Sequence, residues 1–573
     1  MKKFYLAGAF LTLPFLLNAQ SAIDGYRFSQ SDLKGTARFM SMGGAFGALG
    51  GDLSAITYNP AGIGVYRRGE VGLTMNLDLQ SATSETQGNK NTQNQTKFPF
   101  NNAGGVVSFN LYNKVMPNLN LGFTYNRAAS FNAHYSGVVP KLYNSLTNYI
   151  AGVSNTEGIT VADVESSDSF DAYNPNDGGI AAPWLSILGY DSYFITPTGD
   201  DDQPNWIGQW NSATSGSGVF DVVTSGGVNE YNIAIGGNFA NKLFWGLDFG
   251  ITDLNYNMTS VWGEKLDNAA VENPSGLSNS SAEWKMTNYY SASGTGYNVK
   301  LGLIYRPIQE LRVGLSFASP TWYSINESYL AQTYFKYPGA DITDMQQNNA
   351  VTNGGYWGTN SYNFRTPWKL TVSAAGVIGR NLIVSADFEW QKYNKMRFYD
   401  GGGSFYDYDY DDYYPDWGWG DPFYAPGGMK KASPARYSTD PWYATNRDIE
   451  DYYKSTTTLR VGAEYRITPR FSVRAGYAHV SSPVKSEAKD GSMLIATSGT
   501  MTNYRFDNDT NYITCGLGYN FNNFYIDAAF VHKRMSSEYH AYTPDPANPQ
   551  IPSPTSKLTL CNNQILLSAG FRF

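Results

Sequence analysis

The stretch "YNVKLGLIYRPIQELRVGLSFA", from Tyr297 to Ala318, contains two alternating runs of apolar and mostly polar residues joined by a short turn. In the first run, apolar side chains occupy every second position from Tyr297 to Tyr305. The second run repeats this pattern from Leu311 to Phe317. A period of two is typical of a β-strand with two different faces. Two such strands around a short turn form an antiparallel hairpin. The stretch therefore predicts a hairpin with one apolar face and one polar face.

The same hairpin pattern recurs along the chain. Matching pairs of alternating runs occupy residues 231–249, 368–390, 459–477 and 513–530, and a final alternating run ends at the C-terminal Phe573. A first strand begins near Glu70, and a weaker pair follows between residues 104 and 125. The pattern predicts about 14 strands, an even number as in bacterial transmembrane barrels.

The lengths of the connections indicate the architecture. Connections within each hairpin are a few residues long, whereas Ala128–Val228 and Tyr399–Ser455 are long insertions between hairpins. Short turns on one rim and long loops on the other are typical of an outer-membrane barrel. The apolar face carries essentially no charge, as contact with lipid requires. The charged residues share the other face, which we interpret as the lumen: Lys300, Arg306, Arg312, Lys369, Asp387, Glu389, Arg460, Glu464, Arg474 and Asp527. The predicted fold is an all-β, about 14-stranded antiparallel transmembrane β-barrel.

The first residues have the pattern of a secretory signal peptide. Lys2 and Lys3 precede an apolar run from Phe4 to Leu17, and the small residue Ala19 precedes a plausible cleavage point. The apolar run is too short for a membrane span. We therefore expect residues 1–19 to direct export, and the barrel to lie in the outer membrane of a Gram-negative-type cell.

The composition agrees with an exported β protein. The 573-residue chain is 15% aromatic and 16% charged, which favours an all-β protein over a helical enzyme. Its net charge of −8 provides no basic surface for nucleic acid. Cys515 and Cys561 cannot form a disulfide scaffold for a chain of this size, and the sequence leaves open whether they pair.

A glycine-rich segment precedes the predicted barrel. The glycines of "MGGAFGALGGD", from Met42 to Asp52, match neither the dinucleotide-binding nor the phosphate-loop spacing. A wide barrel has a lumen that its own side chains do not fill, and glycine allows close backbone packing. We therefore expect this segment to occupy the lumen. Asp52 is placed to cap a short helix that must end before Pro60.

The run "MGGAFGALGGDLSAITYNPAGI", which ends in Asn59-Pro60-Ala61 and Gly62-Ile63, resembles the N-terminal hatch of the FadL/TodX family of outer-membrane transporters. The hairpins "LGLIYRPIQELRVGLSFASP" and "TPWKLTVSAAGVI" resemble the repeating pattern of that family. The resemblance implies a 14-stranded barrel with a small hatch, uptake of long-chain fatty acids or aromatic hydrocarbons, and sideways release into the bilayer. The terminal Phe573 resembles the signal read by the barrel assembly machinery. The two long insertions depart from the family pattern.

These observations divide the chain into three parts. We expect residues 1–19 to be the signal peptide, 20–69 the hatch with its Asn-Pro-Ala motif, and 70–573 the barrel with long extracellular loops. The expected function is uptake of hydrophobic small molecules, most simply long-chain fatty acids, by capture in an apolar lumen pocket, hatch rearrangement and lateral release. The expected partners are the lipid bilayer, the hydrophobic ligand and the assembly machinery. No motif indicates an enzyme, a cofactor or a metal site.

Two groups of residues are candidates for the transport site. Apolar residues of the hatch would be costly exposed surface, so they are expected either to line the ligand pocket or to pack against the wall: Tyr26, Phe28, Phe39, Met40, Met42 and Phe46. Lumen cations are expected either to anchor the hatch or to meet a ligand carboxylate: Arg312, Arg460 and Arg474.

An acidic and aromatic stretch, "YDYDYDDYYPDWGWGDPFY" at residues 406–424, is a candidate surface site. Asp407, Asp409 and Asp411 alternate as in a calcium loop, but the sixth and twelfth positions hold Asp412 and Gly418 instead of the expected Gly and Glu. A solvated loop is the simpler interpretation. Its large aromatic residues are candidates for an apolar capture groove: Trp417, Trp419, Phe423 and Tyr424.

A second class of function remains open. The long loops are compatible with a surface-exposed ligand-binding or adhesion barrel, including a haemin-binding one. The chain has four histidines, His134, His479, His532 and His540, in no paired ligand motif. Deleting the Tyr399–Ser455 loop is expected to abolish adhesion but only to reduce uptake.

Overall fold

The computed structural model describes residues 21–167, 170–174, 182–273, 276–339, 348–399, 442–489, 495–497 and 499–573. The predicted signal peptide, residues 1–19, lies outside the described residues. So do the candidate calcium-loop and capture residues of the 406–424 stretch, including Trp417, Trp419, Phe423 and Tyr424.

Fourteen strands form a closed antiparallel β-barrel, which confirms the predicted fold and strand number. Strands are numbered β1–β22 in chain order. The ring consists of β1 (Glu70–Thr86), β3 (Phe100–Asn110), β4 (Asn118–Ser130), β8 (Ser215–Phe239), β9 (Leu243–Asn273), β10 (Gly276–Tyr305), β11 (Leu311–Ala318), β15 (Lys369–Ile378), β16 (Leu382–Lys392), β18 (Ser455–Arg466), β19 (Phe471–Val480), β20 (Tyr504–Phe521), β21 (Phe524–His540) and β22 (Thr555–Arg572). The ring closes where β1 pairs with β22, from Glu70 opposite Arg572 to Glu85 opposite Lys557.

Side-chain alternation places the apolar face outside, as predicted. On β10, the side chains of Tyr297 and Leu301 are 45% and 52% exposed, whereas Asn298 and Lys300 between them are buried towards the lumen. Arg306 follows the end of β10 at Tyr305 and lies in the turn, so its lumen position stays a prediction.

The rim that carries the long connections is built into a folded cap. Strand β9 has 31 residues, whereas about 9–11 residues suffice to cross a bilayer. The cap strands are β2 (Asn89–Lys97), β5 (Ala133–Val139), β6 (Ile195–Asp200), β7 (Gln203–Gly208), β12 (Trp322–Lys336), β13 (Asn348–Val351), β14 (Gly358–Arg365) and β17 (Arg397–Tyr399). The helices here are α4 (Leu146–Glu157), α5 (Val161–Val164), α6 (Trp184–Asp191), α7 (Tyr443–Tyr452) and α8 (Ser486–Lys489), with 3-10 turns at Thr352–Gly355 and Tyr393–Lys395. The 128–228 insertion is therefore largely a packed structure, not a simple loop.

The chain before β1 lies inside the ring. It contains α1 (Ala22–Phe28), α2 (Ala37–Ser41), α3 (Leu53–Tyr58) and a 3-10 helix, Pro60–Val65. One buried apolar cluster runs from α1 into the cap, and a second joins α2 to the wall. None of the helices in the described part of the chain has the length and apolarity needed to cross a bilayer.

Candidate hatch and ligand cavities

Two linked N-terminal helix caps stabilise helices α2 and α3 of the hatch, residues 21–69. The Thr36 hydroxyl accepts a hydrogen bond from the Phe39 N–H at the start of α2 and donates to the Asp52 carboxylate at 2.9 Å. Asp52 in turn accepts from the Ser54 N–H at 2.9 Å, at the start of α3. These bonds satisfy backbone donors that a helix leaves open. The prediction that Asp52 caps a helix ending before Pro60 is confirmed.

The Asn-Pro-Ala motif forms the turn between α3 and the 3-10 helix. Asn59 Nδ2 donates to the Gly47 carbonyl at 2.6 Å and faces the Leu303 carbonyl of β10 at 3.4 Å. Asn59 Oδ1 accepts from the Ala61 N–H at 3.1 Å. Pro60 opens the 3-10 helix, where its missing N–H needs no partner. The motif therefore ties three parts together: the glycine-rich loop, the 3-10 helix and the barrel wall.

The barrel wall carries glycine where the hatch backbone touches it. A Cβ atom added to Gly302 would lie 2.0 Å from Asn59 Oδ1, and one added to Gly246 would lie 2.1 Å from the Pro60 carbonyl oxygen. A Cβ added to Gly314 would lie 2.4 Å from the Gly47 carbonyl oxygen. These separations are too short for any side chain. Glycine at these wall positions therefore permits direct contact between hatch backbone and wall.

Polar wall residues hold the glycine-rich loop. Asp387 Oδ2 on β16 accepts hydrogen bonds from the backbone N–H groups of Phe46 and Gly47, both at 3.0 Å. Arg312 on β11 donates to the Leu49 carbonyl at 2.6 Å. Because the loop is fixed from two different strands, its displacement requires breaking several buried bonds.

The other two predicted lumen arginines belong to charge networks. Arg474 pairs with Glu464 at 2.8 Å and with Asp527 at 2.6 Å, and Glu464 also pairs with Arg38 of the hatch at 3.0 Å. Arg460 donates twice to Glu389 at 3.0 Å, and its guanidinium lies 5.4 Å from the centre of the Tyr58 ring. All three predicted arginines therefore contact the hatch or a residue that holds it.

The six predicted apolar hatch residues separate into two groups. Phe39, Met40, Met42 and Phe46 are fully buried in the cluster that joins the hatch to wall residues such as Val531. Tyr26 and Phe28 instead lie beside two cavities at the level of α1. Whether any of the six contacts a ligand remains a prediction.

Cavity A, between α1, β1, β2, β5 and β20–β22, has a volume of about 180 Å³. Its lining is mixed: Tyr26, Phe131 and Met258 lie beside the charged groups Asp507 and Lys533. The ionic groups have partners. Asp507 accepts hydrogen bonds from Tyr26 at 3.2 Å and Gln30 at 3.0 Å, and Lys533 donates to Asp32 at 2.5 Å.

Cavity B lies on the other side of the hatch, against β8–β11, β15, β16 and β18, and has a volume of about 130 Å³. The segment Gln30–Asp32 lines both cavities and forms the partition between them. Among the cations of cavity B, Lys300 pairs with Glu230 at 2.7 Å and Arg460 with Glu389 at 3.0 Å. Lys369 differs, because within the described residues its only hydrogen bond is to the Ser31 hydroxyl, at 3.0 Å.

The family model for "Outer membrane protein transport protein (OMPP1/FadL/TodX)" matches residues 231–543. The chain belongs to this family. Solved structures similar to this chain include a Pseudomonas aeruginosa FadL homologue, at 13% identity and a TM-score of 0.48, with 95% of this chain and 99% of that chain covered. The Ralstonia pickettii toluene transporter TbuX is similar at 13% identity and a TM-score of 0.40, with the same coverage. No curated protein sequence matches the chain significantly.

Membership of the FadL/TodX family places the barrel in the outer membrane and makes it a transport channel for hydrophobic compounds, not an enzyme. We expect the cap to face the exterior and the short turns to face the periplasm, as is usual for such barrels.

Beside cavity A, the cap strands β2 and β5 continue the wall of this FadL/TodX-family barrel beyond the closed ring, and this continuation is interrupted. Strand β2 pairs with β1, and β5 pairs with β8, but no backbone ladder joins β2 to β5 in the described parts of the chain. Side chains bridge the interruption, because Asn91 and Gln93 donate to Ser136 Oγ at 2.7 and 2.8 Å. Residues of both strands line cavity A, including Gln93 and His134. Phe98 and Pro99 separate β2 from the ring strand β3.

The histidines and cysteines do not converge on a site. His134 contacts Asp221 at 3.2 Å, whereas His479 and His532 contact asparagines on neighbouring strands. Within the described residues, no group of three His, Cys, Asp or Glu side chains could hold a metal ion. Cys515 on β20 and Cys561 on β22 are free thiols.

The sequence neither predicts the partition nor singles out its lysine. Lys369 was recognised as a lumen charge, but nothing in the local pattern distinguishes it from Lys300, because the carboxylate partners of Lys300 come from β8 and β9.

Proposed function

We propose that this barrel takes up amphipathic hydrophobic molecules with a carboxylate end, most simply long-chain fatty acids, and releases them sideways into the bilayer. The observation that carries this proposal is Lys369, an ammonium group at cavity B whose described hydrogen bond is to a neutral hydroxyl. Glu389 and Glu230 act on this ammonium only from beyond ion-pair distance, and a ligand carboxylate would supply a direct ionic partner. A charge-assisted hydrogen bond of this kind contributes about 1.5–3 kcal/mol.

The cavity sizes support a moving partition. Cavity A, at about 180 Å³, exceeds the roughly 150 Å³ cavity that admits benzene but is below the roughly 300–1,000 Å³ usual for larger ligands. Each cavity alone therefore fits a short segment of a long molecule. Displacement of Gln30–Asp32 would join cavities A and B. We propose this displacement as the hatch rearrangement that accompanies transport.

The gap between β2 and β5 is the proposed exit from cavity A. Its bridges are hydrogen bonds donated by the Asn91 and Gln93 side chains to Ser136, which can exchange for water or ligand without disturbing a strand ladder. On the outer surface, Phe98 is 65% exposed, so the gap adjoins apolar surface. A hydrophobic molecule that leaves here would avoid the aqueous phase, which is the physical advantage of lateral release.

The test compares ligands that differ only in the head group. Purified Lys369→Met protein is expected to bind a fluorescent long-chain fatty acid about 10- to 100-fold more weakly than the unchanged protein, with little change for the methyl ester of the same acid. Lys90→Met is the matched control, because the Lys90 side chain is 63% exposed and pairs only at the surface. Equal fatty-acid affinity in the Lys369→Met and Lys90→Met proteins would contradict the carboxylate assignment.

A second candidate function, surface binding or adhesion, is supported by the folded cap. Helices α4 and α6 and the sheet of β6 and β7 form an apolar core outside the membrane, which is more structure than a transport pore requires. A cell-binding assay on protein lacking residues 400–441 tests this candidate, since these residues lie between β17 and α7 in the chain.

A further inference from the structure

Two prolines face each other across the barrel wall. Strand β12 pairs with β14 as far as Trp322 opposite Arg365, and β11 pairs with β15 from Ala318 opposite Lys369. Both ladders have the same register, so Pro320 lies opposite Pro367. Neither proline has an N–H to donate. Proline inside a sheet is otherwise confined to edges and bulges, so this position interrupts the ladder where the ring strands β11 and β15 meet the cap strands β12 and β14.

Side-chain hydroxyls replace some of the lost ladder bonds. The Thr321 N–H donates to Thr366 Oγ1 at 2.8 Å, and the Thr366 N–H donates to the Thr321 carbonyl at 3.0 Å. The Val299 N–H donates to Ser319 Oγ at 3.0 Å. The wall is therefore closed here by a mixture of backbone and hydroxyl contacts.

The two neighbouring ladders are irregular at the same height. Between Tyr297–Trp322 and Lys300–Ala318 the register against β10 shifts, because the proline-containing segment has an extra residue. On the other side, the 3-10 helix Tyr393–Lys395 separates β16 from β17. Three adjacent ladders are thus interrupted along one line, which we call the proline seam: residues 319–321, 366–368 and 393–396.

The proline seam separates cavity B from the membrane. On the inside, Ser319, Thr321, Thr366 and Pro367 line cavity B. On the outside, aromatic rings flank the same line: Tyr297 with Trp322 at 5.8 Å, and Trp368 with Trp390 at 5.2 Å between ring centres. Rings of this kind form the aromatic girdle at the membrane interface of such barrels. The seam therefore lies at the height where the hydrocarbon layer meets the head groups.

We propose that the proline seam is a second lateral portal, through which a hydrophobic ligand in cavity B enters the bilayer independently of the gap between β2 and β5. This inference rests on the proposed uptake function. Opening at the seam breaks fewer backbone bonds than opening at a regular ladder, because the two prolines donate none. The portal would serve the cavity that contains Lys369, so a molecule held there need not cross the Gln30–Asp32 partition to leave.

A reversible cross-link tests the portal. Thr321→Cys and Thr366→Cys are introduced together with Cys515→Ser and Cys561→Ser, so that the new thiols are the only ones. Directly opposed residues of antiparallel strands have Cα atoms about 4.5–5.5 Å apart, within the disulfide range of about 4.4–6.8 Å. The matched control is Ala386→Cys with Val461→Cys, an opposed pair on the outer face of the ladder between β16 and β18. Each variant is measured first oxidised and then reduced. Because the two rates come from the same sample, a folding defect would affect both.

The readout is the initial rate at which a fluorescent fatty acid reaches the bilayer of reconstituted vesicles. Oxidation of the seam pair is expected to lower this rate by about half, because two routes act in parallel, and reduction is expected to restore it. The control pair is expected to show equal rates in both states. Equal rates in the oxidised and reduced seam variant would overturn the portal while leaving uptake through the other gap intact. Failure of the proposed function would appear differently, as no protein-dependent transfer in any variant.

Photolabelling provides an independent test of the second portal. A fatty acid with a diazirine near its methyl end, activated during transfer, is expected to label the peptide that contains Trp368 as well as peptides beside Phe98. Labelling at Phe98 without labelling at Trp368 would contradict the second portal.

Discussion

The side-chain amide of Asn59 donates a hydrogen bond to the Gly47 carbonyl oxygen across 2.6 Å, and both residues lie against glycines of the barrel wall. This one bond joins the Asn-Pro-Ala turn to the glycine-rich loop that Asp387 and Arg312 hold from the other side. The hatch is therefore a set of backbone segments fixed to each other and to the wall, and its integrity depends on a small number of buried contacts.

Asn59→Ala is expected to loosen the hatch without unfolding the barrel. The substitution leaves the Gly47 carbonyl and the Ala61 N–H without their Asn59 partners, at a cost of about 1–3 kcal/mol for each buried group. We expect unchanged heat-modifiable migration of the barrel, higher permeability to small polar solutes and altered fatty-acid uptake. Asn59→Asp is the matched variant, because it keeps the acceptor for Ala61 but loses the donor to Gly47. Unchanged uptake together with unchanged permeability in the alanine variant would contradict a gating role for the motif.

Gly246→Ala is expected to displace the hatch by steric contact. The new methyl group would lie 2.1 Å from the Pro60 carbonyl oxygen, so the turn must move inward. Solute leakage through purified protein in vesicles should rise. Gly376→Ala is the control on the same barrel, since its added Cβ would have its nearest neighbours at 3.8 Å. The account is wrong if both variants leak equally or if neither does.

The apolar hatch residues are expected to act in two ways. Tyr26→Ala and Phe28→Ala alter residues beside the cavities, so they should weaken fatty-acid binding. Phe39→Ala and Phe46→Ala remove fully buried rings from the hatch–wall cluster, at about 3–5 kcal/mol each, so they should mainly raise leakage.

Fluorescence titration and solute permeability, measured on the same four proteins, separate these two effects. Loss of binding in Phe39→Ala and Phe46→Ala with no leakage would instead place those rings at the ligand.

Removing residues 400–441 is expected to reduce uptake but not to abolish it. Both cavities, the partition and Lys369 lie outside the deleted segment, so the transport path remains. Cell uptake and attachment to host surfaces are measured in parallel. The control is a variant that carries an insertion of equal length at the same site. Complete loss of uptake with an intact barrel would contradict this account and assign ligand capture to the deleted segment.

Most strands of the barrel and their two faces can be predicted from the alternation of apolar and polar residues, because the geometry of a single strand sets the period of two. The exposed positions of Tyr297 and Leu301 and the lumen position of Lys300 are readable in this way. The family resemblance predicted the hatch. The N-terminal capping residue of α3 and the end of that helix followed from Asp52 and Pro60.

The rest depends on contacts between distant parts of the chain. Nothing near Pro320 indicates that Pro367 lies opposite, since residues 322–365 leave the ring to form part of the cap between them. Which lumen lysine forms a direct ion pair also depends on distant strands, because Glu230 of β8 lies within ion-pair distance of Lys300 but not of Lys369. The sequence predicts a long loop where the folded cap lies, because helices α4–α6 fall between two clear strand patterns.

The central claim is that the barrel transfers a carboxylate-bearing hydrophobic molecule into the bilayer while the hatch keeps the lumen closed to water. The most direct measurement records both quantities on one sample: arrival of a fluorescent long-chain fatty acid in the membrane of reconstituted vesicles, and leakage of a small dye trapped inside them. The account predicts protein-dependent transfer, weakened by Lys369→Met, with dye leakage no higher than in protein-free vesicles. Transfer that appears only together with dye leakage, or no protein-dependent transfer at all, would contradict it.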